Sequence, residues 1–311
     1  MTGSKSARIF VEKIWQSARK QKDPQPRRDL RVAFDLVHSS SRWTDQGNKS
    51  GPGSNSDACT RVLLNGQDRR RELYLDLIIK TLANVIYGDP SLVMGKIDHD
   101  PKLREIGRGW PTLAHTMVGV ARLTNLKQLA QRTIDERVPG DYIETGVWRG
   151  GCCILMRAVI EANQIRDRKV FVADSFDGLP PPKPDQYPAD RGDTLHTYRE
   201  LAIPIEQVRA NFAAYGLLDE QAVFVPGFFE DTLPSLKAGP FALIRLHGDM
   251  YESTIVALNS LYPKLSPGGF VIIDDYALAG CKTAVDDFRR EHDITSQVHV
   301  IDWTGVWWQK S

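Results

Sequence analysis

Downstream of residue 140, short apolar runs alternate with longer stretches of helical periodicity. The runs 141–147, 169–173, 221–226, 241–246 and 269–273 have strand length and are bounded by Pro, Gly or Asp. Continuous apolar runs of this kind predict parallel strands covered on both faces. Between them, 150–163, 204–215, 253–265 and 282–292 carry apolar residues at helical spacing, and 231–236 opens one more crossover. Strands alternating with helices predict an α/β fold with a doubly wound, mainly parallel sheet. The tail, 298–303 and then 305–309, reads as two strands joined by a tight turn. This terminal antiparallel hairpin brings the predicted sheet to seven strands.

Upstream the period is helical throughout. Leu73, Leu77, Ile78, Leu82, Val85 and Ile86 recur on one face from Arg71 until Gly88-Asp89-Pro90 stops the helix. Leu113, Met117, Val120, Leu123, Leu126 and Leu129 continue to Val138, where Pro139-Gly140 ends the pattern. Residues 71–138 are therefore expected to form a helical lid or cap, and 139–311 the sheet domain. Residues 1–70 differ. Ile9, Phe10, Val11, Ile14 and Trp15 suggest a short amphipathic helix, 20–31 is basic and contains proline, and 39–56 is rich in Ser, Gly, Asn and Asp. That composition predicts a partly flexible extension; a lid or a dimer arm is the alternative.

Composition narrows the function classes. The 311 residues are 41% hydrophobic and 25% charged, ordinary for a globular enzyme. A net charge of +1 supplies no bulk attraction to nucleic acid or to an anionic membrane. No apolar run approaches the ~20 residues that span a bilayer, and the N-terminus leads into no signal-like core. Four cysteines, two of them neighbours at Cys152 and Cys153, give neither a disulfide framework nor CxxC spacing. A cytoplasmic, reduced protein is expected.

Open α/β sheets bind ligands beyond the carboxyl ends of their strands, and polar residues collect there. Leu246-His247-Gly248-Asp249 ends one apolar run and Asp274-Asp275 another. Three carboxylates and an imidazole facing one crevice point to a cation site with a base beside it. Two adjacent carboxylates at a buried strand end need a cation or donors to offset them; a hydrated loop pair is the plainer alternative. His247 alone reads as a structural histidine, and Asp249 alone as a helix cap. The turn Glu144 to Gly151 (ETGVWRGG) lets the backbone approach a bound cofactor, although βα turns often need glycine anyway. It is not a dinucleotide G-x-G-x-x-G. Asp174-Ser175, at the end of the second strand, suits ribose hydroxyls, with a helix N-cap as the alternative. Gly227-Phe228-Phe229-Glu230 after the third strand offers a ring and a carboxylate for adenine, or simply core packing with a cap at Asp231.

Taken together, DYIETGVWRGG (141–151), DSFDGLP (174–180), GDMYEST (248–254), LYPKLSPGGFVIIDDY (261–276), AVDDFR (284–289) and IDWTGVWW (301–308) resemble the macrocin O-methyltransferase family. PTLAHTMVG (111–119) is similar to that family's segment ahead of the sheet, so the resemblance covers about 71–311. It implies a Rossmann-like methyltransferase sheet and a cytoplasmic enzyme of antibiotic biosynthesis. Such an enzyme methylates a sugar hydroxyl of a macrolide or related glycoside, using S-adenosylmethionine and usually magnesium. It also implies roles. Glu144, Gly146 and Gly150 would line the methionine end of the cofactor, with Thr116 and Met117 closing over it. Asp174, with Ser175, would bind the ribose. Phe229 and Glu230, after Gly227, would flank the adenine. Asp274 and Asp275 would hold the metal, and Asp249 would be the general base. The expected partners are a small-molecule glycoside and further copies of the chain as a homo-oligomer, with no nucleic acid or membrane.

One position departs from the family pattern. The first acidic metal ligand after the fourth strand is here His247. Imidazole suits Mn or Co better than Mg, so His247 is carried forward both as metal ligand and as catalytic residue. Two rival readings stay open: a metal-independent O-methyltransferase of a phenolic acceptor with His247 as base, and a catalytically silent homologue.

Overall fold

The computed structural model describes residues 66–92 and 98–311. The expected extension up to residue 65, with its amphipathic stretch, lies outside the described residues. Seven strands form one sheet: β1 (Asp141–Thr145), β2 (Val170–Asp174), β3 (Ala222–Pro226), β4 (Phe241–Leu246), β5 (Leu265–Ile273), β6 (His299–Val300) and β7 (Val306–Gln309). Their order is β3-β2-β1-β4-β5-β7-β6. The first five are parallel, and the final hairpin adds β7 antiparallel to β5 and β6 antiparallel to β7. The chain reverses its direction across the sheet between β1 and β4, the switch point where such sheets open a crevice.

Eight α-helices accompany the sheet among the described residues: α1 (Gly66–Leu82), α2 (Pro101–Glu105), α3 (Val120–Asp135), α4 (Gly151–Ala162), α5 (Ile205–Ala214), α6 (Phe229–Thr232), α7 (Tyr251–Leu261) and α8 (Ala279–Glu291). On one face, Leu75 and Leu82 of α1 and Leu123 and Leu126 of α3 pack with Leu155 of α4 and Tyr142 of β1 in a single core. On the other, Leu258, Leu261, Val285 and Phe288 of α7 and α8 cover Ile143, Ile244 and Val271. No helix among the described residues is long and apolar enough to cross a membrane.

The helical region departs from its expected pattern in two places. α1 stops at Leu82, six residues before Gly88. Asn84 takes a left-handed turn (φ 49), and the Val85 amide donates back to the Lys80 carbonyl at 3.0 Å. This closes the helix as a Schellman-type cap. Its buried face is Leu75, Ile78, Ile79 and Leu82, so Leu73 and Leu77 point outward at 60% and 54% exposure. Residues 113–119 are not helical, because the buried Asp89 carboxylate takes the Leu113 amide (2.7 Å) and the Thr112 hydroxyl (3.1 Å). Asp89 is also paired with Arg104 of α2 at 2.6 Å. The α2 helix itself has a readable signal, since Asp100 caps it and Pro101 occupies its first turn.

Candidate active site at the strand ends

The cleft is built where three backbone turns touch. The His247 amide donates to the Thr145 carbonyl, Gly146 to Ala173 and Asp274 to Leu246, each at 2.9 Å. The pairing of β1 with its neighbours therefore continues past the strand ends. Gly146 (φ 81) is needed here: a Cβ at that position would lie 1.7 Å from the His247 carbonyl oxygen. Beyond these turns opens a cleft of about 810 Å³, its mouth included. Gly146, Asp174, Ser175 and Glu230 line it, and so do Phe229, His247, Asp249 and Met117.

Asp174 ends β2. Its carboxylate accepts the Val147 amide at 2.7 Å and the Phe176 amide at 2.8 Å. It is thus no helix cap but a tie between the β1 turn and the β2 end. Burial pushes this carboxyl up from the ordinary aspartate value, and the amides hold it back. Ser175 donates to the Gly178 carbonyl at 2.6 Å and shapes the next turn. Phe229 and Glu230 open α6, so the first turn of that helix starts at Phe229, and Asp231 does not cap it.

On the other side of Gly146, β4 delivers His247 and Asp249. Asp249 sits in the left-handed region (φ 60), with its amide donating to Asp275 Oδ2 at 3.2 Å. Aspartate enters this region more readily than most side chains, and non-glycine residues held there recur at functional turns. Burial, then the nearby Asp193 and Asp274 charges, push the Asp249 carboxyl up to about 7. It does not cap α7. That helix is capped from a distance by Asp190, which accepts the Tyr251 and Glu252 amides at 2.7 and 3.0 Å.

His247, Asp274 and Asp275 come together, with one donor atom from each within 4.8 Å of the others. His247 Nε2 lies 3.3 Å from Asp274 Oδ2 and 3.9 Å from Asp275 Oδ1. Neighbouring donors on a six-coordinate cation with ~2.1 Å bonds stand about 3 Å apart, so the spacing fits a divalent ion. One imidazole among oxygens suits a first-row transition ion better than magnesium.

Asp274 is nonetheless not a bare anion. Arg245 Nη2 donates to its Oδ1 and Arg122 Nη1 to its Oδ2. Burial alone would raise this carboxyl, but the two guanidiniums hold it well below the carboxylate range. Arg245 also pairs with Glu144, its neighbour in β-register, whose second oxygen accepts the Cys153 thiol at 2.8 Å.

Four residues expected at the cofactor lie behind the residues that line the cleft. Glu144 is 1% exposed and faces Arg245, not the cleft. Gly150 caps α4 and would meet Val208 if it bore a Cβ. Thr116 is buried with its hydroxyl accepting the Val118 amide at 3.3 Å. Gly227 turns the chain against Thr232. None of the four lines the cleft, and Asp274 and Asp275 meet it through His247 and Asp249.

Several site residues are absent from the sequence reading. Arg245 had a signal, since a charge inside the apolar run FALIRL must find a buried partner. Arg122, Asp190 and Lys183 had none. Lys183, in the loop after β2, reaches Glu230 and, at 2.9 Å, Glu252, and so straps that loop across the cleft.

Comparison with known proteins agrees with this arrangement at the level of the family and the fold. A family model described as Macrocin-O-methyltransferase (TylF) matches residues 60–310. An 8-demethyl-8-(2,3-dimethoxy-alpha-L-rhamnosyl)-tetracenomycin-C 4'-O-methyltransferase of Streptomyces olivaceus is 52% identical over 77% of this chain and 93% of its own. The Mycinamicin III 3''-O-methyltransferase of Micromonospora griseorubida is 45% identical over 77% of this chain and 97% of its own. Among solved structures, the O-methyltransferase NovP superposes with a TM-score of 0.75 at 48% identity, covering 78% of this chain and 99% of that one.

Proposed function

The chain belongs to the macrocin O-methyltransferase family, and from that premise we propose that it methylates a sugar hydroxyl of a glycosylated natural product with S-adenosylmethionine. The reading includes a divalent cation at His247, Asp274 and Asp275. The observation that carries it is the single cleft with Asp174 and Glu230 on one side of the Gly146 turn and His247 and Asp249 on the other. One side suits a nucleoside, the other a hydroxyl to be deprotonated.

Asp174 and Ser175 take the ribose, Phe229 and Glu230 the adenine, and Gly146 with Met117 the methionine end. Glu144, Thr116, Gly150 and Gly227 shape the wall from behind. S-adenosylmethionine would supply a methyl already activated on a sulfonium, and a cation held by His247, Asp274 and Asp275 would lower the pKa of the hydroxyl. What remains for the chain is to place the oxygen in line and receive its proton. Asp249 does the second: a carboxyl raised toward neutrality is a better acceptor than an exposed one. The new O–C bond forms as the S–C bond breaks. A reducing, cytoplasmic setting belongs to the same reading, in keeping with the free, buried Cys152, Cys153 and Cys281, and a homo-oligomer is part of it too.

Labelled S-adenosylmethionine, a panel of deoxysugar-bearing glycosides and a series of Mg²⁺, Mn²⁺, Co²⁺ and EDTA test this reading. Methylation of glycosides, lost in EDTA and better with Mn²⁺ or Co²⁺ than with Mg²⁺, is expected. His247→Asp should restore the preference for Mg²⁺. Full turnover in EDTA, with a lower rate in His247→Asp, would instead make His247 the base of a metal-free site. No methylation of any acceptor by a chain that binds the cofactor would leave the silent homologue.

A further inference from the structure

The Ile301 to Gly305 turn, part of the motif IDWTGVWW, takes no part in the chemistry above, yet it wraps one side chain of the site. Arg122, on the first turn of α3, is 7% exposed. Its Nη1 donates to Asp274 Oδ2, the oxygen 3.3 Å from His247 Nε2, and its Nε donates to Asp302 Oδ2 at 2.9 Å. The other Asp302 oxygen accepts the Thr304 and Gly305 amides at 3.0 and 2.7 Å. Thr304 Oγ1 donates to the Asp274 carbonyl at 2.9 Å. The guanidinium runs past Gly107, where a Cβ would sit 2.3 Å from its Nη2. Trp303 fastens the turn to the helical region by donating to the Ile106 carbonyl at 2.8 Å, with Arg108 stacked on its ring at 4.5 Å.

Neutralising Asp274 does not require Arg122, since Arg245 already holds the other oxygen. A second guanidinium on the oxygen facing His247 has a different consequence. A divalent ion drawn to that oxygen is repelled by Arg122, and Asp302 offsets part of the repulsion. We infer that Arg122, set by the Asp302 turn, is a positioning residue that limits how tightly the His247–Asp274–Asp275 site holds a cation. The inference rests on the cation reading proposed above.

The two charges act in opposite directions, which separates this role from a merely structural one. Mn²⁺ is titrated into the full chain without cofactor and read by calorimetry and by the electron spin resonance of free Mn²⁺. Arg122→Gln is expected to bind Mn²⁺ about ten-fold more tightly, and Asp302→Asn about ten-fold more weakly. Arg122→Lys keeps the charge and should stay near wild type. If Arg122→Gln does not fold, the Asp302→Asn and Arg122→Lys pair still decides: a fall in the first without one in the second supports the inference. Both charge-removing variants binding more weakly, or neither changing, overturns it while the cation site stands. No Mn²⁺ uptake by wild type or by Arg122→Gln overturns the cation reading, and this inference with it.

Discussion

Asp274 and Asp275 are adjacent in the chain and are shifted in opposite directions. The first is fully buried against two guanidiniums and stays ionised; burial and then the Asp249 charge push the second up to about 8. The sequence shows two neighbouring anions in need of compensation, and the compensation comes from residues 29 and 152 positions away. That is the general pattern at this site. His247 and Asp249 are legible because they end an apolar strand; Arg122 and Asp302 are not, because only the tertiary fold makes them neighbours. Asp174 belongs to the legible group and gives a direct prediction. Replacing it with alanine removes a charged hydrogen-bond acceptor worth roughly 1.5–3 kcal/mol. Calorimetry should show S-adenosylmethionine binding weakened by about ten-fold or more. Unchanged affinity in a folded Asp174→Ala chain would take the ribose role away from it.

At the scale of elements, the five parallel strands stand out in the sequence because each is short and mainly apolar, with Glu144 of β1 and Arg245 of β4 as a paired exception. The boundaries slip where a partner outside the local pattern decides them. β5 begins at Leu265, four residues before the run at 269, while the hairpin strand β6 shrinks to two residues around the Asp302 turn. The turns at 83–90 and 112–114 are governed by one carboxylate, Asp89, which is 3% exposed. Burial would raise its pKa, but Arg104 and the donors around it lower it from 3.8 to about 2. A carboxylate depressed in the folded state stabilises above its unfolded value and loses that contribution as pH falls through the folded one. The difference corresponds to about 2 kcal/mol at neutral pH. Asp89→Asn should therefore lower the urea midpoint at pH 7, and its deficit should shrink between about pH 4 and pH 2. A deficit that stays constant over that range would mean that Asp89 acts through shape and not through charge.

For the whole molecule, the question is what the fold needs. The described residues, from 66 onward, already close the sheet, its two helical layers and its cleft around the two large core clusters. The family match starts at residue 60, and 77% of this chain covers 93–97% of the two curated relatives. Residues 39–56 carry little apolar surface to bury. Deleting residues 1–60 is thus expected to leave cooperative thermal unfolding intact and the midpoint within a few degrees. Leu73 and Leu77 make this a two-sided test. They are the large apolar side chains that α1 exposes, at 60% and 54%, and covering what remains of both would contribute about 2–3 kcal/mol. A midpoint that falls by the roughly 5–10 °C such a loss implies would mean that the deleted segment lies on that face. Loss of cooperativity would mean that it belongs to the core itself.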